Sequence, residues 1–160
     1  MDHYSLGKAN ILLDGETTDI RGLDIIFDSG GTYTYLASQA YGALLDLVTR
    51  NLNKLKLKRA VNDNTLPYCW QKPADDAKYF FPLALDFTDE KNVRFEMPLK
   101  SYLIVSLSNN VCLGILNGTD IGLGNMNVIG DISMQDKLVI YDNENGMVGW
   151  AAAKTCNKKP

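Results

Sequence analysis

Apolar and polar residues alternate along much of this chain. Leu83, Leu85 and Phe87 alternate with Ala84 and Asp86, and Val93, Phe95 and Met97 alternate with Arg94 and Glu96. Between the two runs lies the polar stretch Thr88-Asp89-Glu90-Lys91-Asn92, so the pattern predicts a β-hairpin. Further short runs at Ser101–Val105, Val111–Leu116, Lys137–Tyr141 and Met147–Trp150 are β-branched or aromatic and are bounded by Asn, Asp and Gly. The last two flank Asn145-Gly146, a hairpin signal because both residue types tolerate positive φ. One segment follows a different period. After Ser38, read as an N-cap, Tyr41, Leu44, Leu45, Val48, Leu52 and Leu55 fall on one face of a 3.6-residue repeat and predict the one principal helix. The cluster Lys54, Lys56, Lys58 and Arg59 reads as a solvated helix end complementing the helix dipole. Asn62-Asp63-Asn64 and Pro73-Ala74-Asp75-Asp76 read as surface loops. The expectation is an all-β fold, mainly β with one principal helix, in a single domain over residues 1–160, since no repeat or low-complexity linker divides the chain.

Composition narrows the function. A chain of 160 residues is long enough to bury a sizeable core without a metal or a dense disulfide framework. Sixteen Lys and Arg against nineteen Asp and Glu give a net charge of −3, the wrong sign for a protein that neutralises phosphates, so nucleic acid is not an expected partner. Glu occurs only at Glu16, Glu90, Glu96 and Glu144, whereas Asp, Asn and Gly abound, as turns and strands require. No run approaches the ~20 apolar residues of a membrane span, and Met1-Asp2-His3-Tyr4-Ser5 has neither a basic nor an apolar leader region, so no targeting segment is read here. His3 is the only histidine and no zinc spacing of Cys and His exists, so neither a His-dependent triad nor a metal site is expected, and no cofactor is implied. Gly122-Leu123-Gly124 lacks a third glycine, Asn127 standing in its place, and reads as a glycine-rich turn. Asn117-Gly118-Thr119 has the form of an N-glycosylation sequon, with meaning only where the chain is secreted. Three cysteines, Cys69, Cys112 and Cys156, are an odd number: one thiol is free or its partner lies outside this chain.

The segment with the clearest chemistry is Ile25-Ile26-Phe27-Asp28-Ser29-Gly30-Gly31-Thr32-Tyr33-Thr34-Tyr35-Leu36. An apolar strand ends in Asp followed by Ser-Gly, which sets an ionisable group on a tight turn at the edge of a core. Taken alone, the triplet equally fits an Asp that caps its own backbone. Far downstream, Asn127-Val128-Ile129-Gly130-Asp131-Ile132 presents an apolar pair closed by glycine, followed at once by the Leu138–Asp142 strand and its Asn-Gly hairpin.

In this order and spacing these residues resemble the C-terminal lobe of a pepsin-like aspartic protease, most closely the plant nucellin-like and nepenthesin-like branch, which shares its C-terminal domain type with xylanase inhibitors. The resemblance extends from about Tyr4 to Cys156. It implies one lobe of a bilobal fold whose N-terminal lobe is absent, and a site in which two Asp-Thr/Ser-Gly loops face each other across a peptide-binding cleft. Asp28 is then one of two catalytic carboxylates, the other coming from the N-terminal lobe, and the pair performs general acid/base attack of water on a peptide bond. By the same resemblance Ser29 grips the opposite loop, Gly30 leaves its amide facing the shared water, and Thr32 lies near bound substrate. Ile129 and Gly130 form the apolar-apolar-glycine element; Asp131 is either a buried acidic group behind the dyad or a turn Asp bonded to the backbone. Cys69 pairs with Cys112, and Cys156 is left for the N-terminal part. Gly31 departs from the family pattern, which has Ser or Thr there donating to the catalytic carboxylate; either activity is reduced or a group such as Thr32 substitutes.

The expected function is therefore the C-terminal half of an aspartic endopeptidase, inactive as an isolated lobe, whose partners are the N-terminal lobe and a peptide or protein substrate. Two alternatives stand beside it: a non-proteolytic binding protein of the xylanase-inhibitor kind, and a single-lobe protease active as a homodimer. Paired cysteines imply an oxidising setting, hence the secretory pathway, with a vacuolar or extracellular destination.

Overall fold

A computed structural model describes residues 6–153. In chain order its elements are β1 (Lys8–Leu13), β2 (Glu16–Thr17), β3 (Leu23–Phe27), β4 (Thr34–Leu36), α1 (Ser38–Lys54), β5 (Cys69–Gln71), β6 (Leu83–Phe87), β7 (Arg94–Met97), β8 (Leu103–Val105), β9 (Asn110–Leu113), β10 (Ile115–Asn117), β11 (Asn127–Ile129), α2 (Asp131–Met134), β12 (Lys137–Asp142) and β13 (Met147–Ala152). Among the described residues, the strands form three sheets. The largest has the order β10-β4-β11-β3-β1-β6-β7, with β2 attached to β1; β5, β9 and β8 form a second, and β12 with β13 a third. The chain is mainly β with one long helix, as expected.

The alternation over residues 83–97 produces the expected hairpin, with Leu83 opposite Met97 and Leu85 opposite Phe95, all four buried. The helix also follows its period: Ala40, Leu44, Val48 and Leu52 form its buried stripe, whereas Leu55, just past its end, is 42% exposed. Its start differs from expectation. Ser38 is the first helical residue and Ala37 occupies the cap position without a side-chain bond. Two amides at the start are satisfied from a distant strand and turn instead: Asn127 Oδ1 accepts from Ala37 N at 2.9 Å and Thr119 Oγ1 from Ser38 N at 3.0 Å. Arg59 is exposed, as the solvated reading has it, but it serves the next segment rather than the helix end. Its guanidinium lies 4.5 Å from the Tyr68 ring centroid and its Nε donates to the Cys69 carbonyl at 3.3 Å, so it braces the segment entering β5.

Two apolar runs are divided. Val111–Leu116 serves two sheets because the chain bends at Gly114, whose amide donates to Tyr102 O at 2.7 Å. A Cβ at residue 114 would fall 3.2 Å from the Tyr102 carbonyl oxygen, a tight approach to backbone, and would displace the tip of the Ile132 side chain. The predicted strand at Ser101–Val105 begins only at Leu103, because Leu99–Ser101 form a turn of 3-10 helix after Pro98. The C-terminal hairpin forms, with Asp142 opposite Met147, through a four-residue loop rather than a two-residue Asn-Gly turn. Only Gly146 takes positive φ there (62°), and the Asp142 carboxylate accepts from the Asn145 amide at 3.1 Å.

The core closes around aromatic rings. Phe27, Phe95 and Trp150 lie with centroids 5.2 to 5.5 Å apart, in edge and stacked geometries worth about 1 kcal/mol each beyond burial. Trp150 Nε1 donates to Arg94 O at 3.2 Å and so docks the β12–β13 hairpin onto the main sheet. The hairpin presents two unlike faces: Val139, Tyr141, Val148 and Trp150 turn inward, whereas Leu138, Ile140 and Met147 are 57%, 55% and 56% exposed.

Candidate active site

β3 and β11 run parallel, Ile25 opposite Asn127 and Phe27 opposite Ile129, and this pairing places Asp28. The strand is apolar from Ile25 to Phe27, which enters the aromatic core, and the next residue emerges from the sheet. The Asp28 amide donates to Ile129 O at 3.0 Å, extending the ladder by one bond. The chain then turns: Gly30 N donates to Asp28 Oδ1 at 2.9 Å and Gly31 N to Asp28 O at 3.2 Å. Asp28 thus caps its own turn through one carboxylate oxygen. The other has no partner among the described residues, and Asp28, Ser29, Gly30 and Thr32 are all exposed.

The second loop locks into the first. Asp131 N donates to Gly31 O at 2.6 Å and Ile132 N to Thr32 O at 3.0 Å. A Cβ on Gly130 would fall 1.9 Å from Tyr33 O, so no side chain fits there. Asp28, Ser29, Gly30, Gly31, Thr32, Ile129, Gly130 and Asp131 are therefore brought together on two interlocked loops. Of the two readings open for Asp131, burial is not met in this lobe, where it is exposed at the start of α2. Nor is it a turn Asp held by the backbone, because its amide is engaged while its carboxylate bonds no backbone group among the described residues.

Cys69 and Cys112 face each other across β5 and β9 and form a disulfide, both buried. The bridge closes a 43-residue separation, which constrains the unfolded chain by about 4 kcal/mol. Among the described residues, one grouping of metal-ligand side chains exists, Asp63 with Cys69 and Cys112, and the disulfide commits both sulfurs. Asp63 is instead surrounded by donors: Ser106 Oγ at 2.5 Å and Asn110 Nδ2 at 2.8 Å on one oxygen, and the Thr65 hydroxyl and amide on the other. Those bonds, the Ser106 hydroxyl foremost, hold its carboxyl well below the usual carboxylate range. Cys156 and His3 lie outside the described residues.

Asn117 ends β10, half-buried, and its Oδ1 accepts from Thr119 N at 3.1 Å. Thr119 Oγ1, besides accepting from Ser38, donates to Gly124 O at 2.9 Å, so this hydroxyl closes the start of α1. Gly122 and Gly124 take positive φ, as a glycine turn requires. No helix among the described residues is long and apolar enough to cross a membrane.

Sequence reasoning missed the hydroxyl pair beneath the loops, Thr34 and Ser133, at 2.6 Å and fully buried. Thr34 shares a strand face with Leu36, two residues on, a faint sign that it points inward.

An exposed Asp-Ser-Gly turn seated on an apolar-apolar-glycine strand, in a mainly β lobe with one long helix, defines a lobe of the pepsin-like aspartic protease fold. A family model described as xylanase inhibitor C-terminal matches residues 3–152, and the chain belongs to that family, the C-terminal lobes of plant pepsin-like proteases. It is 37% identical over 172 residues to an aspartic proteinase of rice (Oryza sativa subsp. japonica), a match covering 99% of this chain and 42% of that protein. It is 28% identical over 130 residues to aspartic proteinase nepenthesin-1 of Nepenthes gracilis, covering 81% of this chain and 28% of that protein. The chain thus spans less than half the length of these relatives. Among solved structures it is similar to conglutin gamma from lupine seeds, with a TM-score of 0.69, 14% identity, and coverage of 88% of this chain and 35% of that one. Basic 7S globulin from soybean has the same TM-score at 13% identity, covering 94% of this chain and 44% of that one; both likenesses concern the fold alone.

Proposed function

We propose that this chain is the C-terminal half of a plant aspartic endopeptidase and that Asp28 is the catalytic carboxylate it supplies. The observation that carries this reading is the Asp28 turn: a carboxylate at the surface, one oxygen held by the Gly30 amide and the other open, on a loop that Gly130 and Asp131 pin from beneath. One carboxylate is half of the chemistry. Two sharing a site cannot both ionise, so one stays protonated to polarise the scissile carbonyl while the other takes a proton from the attacking water. The second carboxylate comes from an N-terminal lobe, as the greater length of the relatives supports. The Ser29 hydroxyl, exposed and without a partner among the described residues, is available to grip the opposite loop. The exposed Leu138, Ile140 and Met147 are the apolar surface against which that lobe packs. Alone, the chain cleaves nothing. The buried disulfide supports an oxidising compartment, the secretory route with a vacuolar or extracellular end.

Two points favour a second reading, a pepsin-fold binding protein that cleaves nothing: by resemblance Gly31 stands where the proteases carry a hydroxyl, and the matching family is described by its xylanase inhibitors. The test is cleavage of a denatured protein at about pH 4 by this chain alone and by this chain joined to its N-terminal lobe, each with an Asp28→Ala counterpart. Activity only in the joined form, abolished by Asp28→Ala, supports the protease half. Inactivity of both with tight binding to a xylanase supports the binder. Activity of the isolated chain overturns the half-site reading in favour of a homodimer.

A further inference from the structure

We infer that Thr34 and Ser133 are positioning residues for the Asp28 loop, acting through the peptide between Ile129 and Gly130. This rests on the reading of Asp28 as the catalytic carboxylate. Three consecutive amides of the second loop donate into the first: Asp131 N to Gly31 O, Ile132 N to Thr32 O, and Gly130 N, at 3.2 Å, to the Thr34 hydroxyl. Only the last ends on a side chain. That hydroxyl lies 2.6 Å from Ser133 Oγ, and Ser133 Oγ lies 2.7 Å from Ser101 O.

The direction of the chain is forced. An amide only donates, a carbonyl only accepts, and each hydroxyl owns one proton. The Ser133 proton therefore goes to Ser101 O, the Thr34 proton goes to Ser133 Oγ, and Thr34 receives the Gly130 N–H. Thr34 is 1% exposed and Ser133 0%, so water does not compete, and bonds aligned head to tail polarise one another.

This chain bears on Asp28 because the Ile129 carbonyl and the Gly130 amide belong to one planar peptide unit. The carbonyl side accepts the Asp28 N–H at 3.0 Å; the amide side is held by Thr34. Rotation of that unit would loosen both bonds together, and the Tyr33 carbonyl packed against Gly130 leaves it no room to shift as a whole. Thr34 thus sets the seat of the catalytic carboxylate without touching it, and Ser133 orients Thr34. Ser133 is itself fixed, its carbonyl accepting from Lys137 Nζ at 3.0 Å.

The test uses amide hydrogen exchange and carbonyl-carbon NMR on the 160-residue chain and on Thr34→Val, Thr34→Ser and Ser133→Ala. In Thr34→Val, exchange at Gly130 and Asp28 is expected to rise about five- to tenfold beyond any rise at Ile11, the factor that one lost hydrogen bond supplies. The Gly30 amide and Asp28 carboxyl resonances move with it. Thr34→Ser restores all of these, and Ser133→Ala moves them in the same direction by less. An even rise across Ile11, Gly130 and Asp28, unchanged Asp28 and Gly30 resonances, or failure of Thr34→Ser to restore them would overturn the inference. Should Thr34→Val not fold, Ser133→Ala decides by the same criteria. No turnover is read, so this result stands or falls apart from the cleavage experiment, which decides whether Asp28 catalyses.

Discussion

Gly130 lies so close to Tyr33 that a Cβ on the glycine would sit 1.9 Å from the tyrosine carbonyl oxygen. The obstacle is backbone, which cannot swing aside as a side chain tip does. Gly130→Ala is therefore expected to destabilise the lobe by about 3 kcal/mol or more, and to separate the two loops even where the chain still folds. Urea denaturation checks the first expectation; loss of exchange protection at Asp131 and Ile132 checks the second.

Gly31 behaves in the opposite way. Its φ is not positive, and a Cβ there would meet Asp28 O at 3.6 Å and Tyr33 O at 3.7 Å, ordinary contact distances. Gly31→Ser is thus expected to fit and, by restricting the unfolded chain, to stabilise by about 0.5 kcal/mol, read from thermal unfolding. In the joined two-lobe protein it should raise cleavage of a peptide substrate, because it returns a hydroxyl to the neighbourhood of Asp28; equal or lower activity would mean that the glycine is no handicap.

Asp63 contributes to the response to acid. Its carboxyl is held well below the usual range by the Ser106, Thr65 and Asn110 donors, so the folded state binds its proton less readily than the unfolded chain does. For a depressed carboxylate the stabilisation is complete above the unfolded value, about pH 4, and is lost as pH falls from there toward the folded value. Asp63 therefore remains ionised and bonded at pH 4. Melting temperatures measured from pH 7 to pH 2 should decline more steeply below pH 4 for the native chain than for Asp63→Asn, which is less stable at neutral pH; parallel curves would contradict this.

The outer face of the β12–β13 hairpin should govern association. With Leu138, Ile140 and Met147 all more than half exposed, the isolated chain is expected to bind a hydrophobic dye and to self-associate as concentration rises. Leu138→Lys combined with Ile140→Lys should abolish both without lowering the melting temperature by more than a few degrees. Sedimentation velocity and dye fluorescence read the outcome.

What was legible in the sequence was local. The alternation of Leu83 to Met97 and the four-residue spacing of Leu44, Val48 and Leu52 declare themselves within one element. β1 does not, because Ile11 and Leu12 are both buried and the alternation fails at that strand. The cap of α1 was misread because its acceptors, Asn127 and Thr119, come from strands and turns far along the chain. Asp28 was recognised through a motif, yet the parallel pairing that seats it, and the Thr34–Ser133 contact beneath it, depend on topology. A buried hydroxyl and a surface one are spelled with the same letter. Asp131 falls on the second loop as read, but its surroundings are not legible for a related reason: a family position brings with it the surroundings of two lobes, and one lobe leaves that carboxylate exposed.

The mixed sheet also sets an order of events during synthesis. Thr34 and Ser133 are 99 residues apart, and β3 waits for β11 before its final ladder bond to Asp28 exists. Contacts of such separation form late, after the hairpin and the helix, which need only their neighbours. A nascent chain halted before β11 would already carry Asp28 and Ser29 at the end of a strand paired with β1, but without the Ile129 carbonyl that accepts the Asp28 amide. The Asp28 turn thus gains its last ladder bond only once β11 has been made, near the end of the synthesis of this lobe.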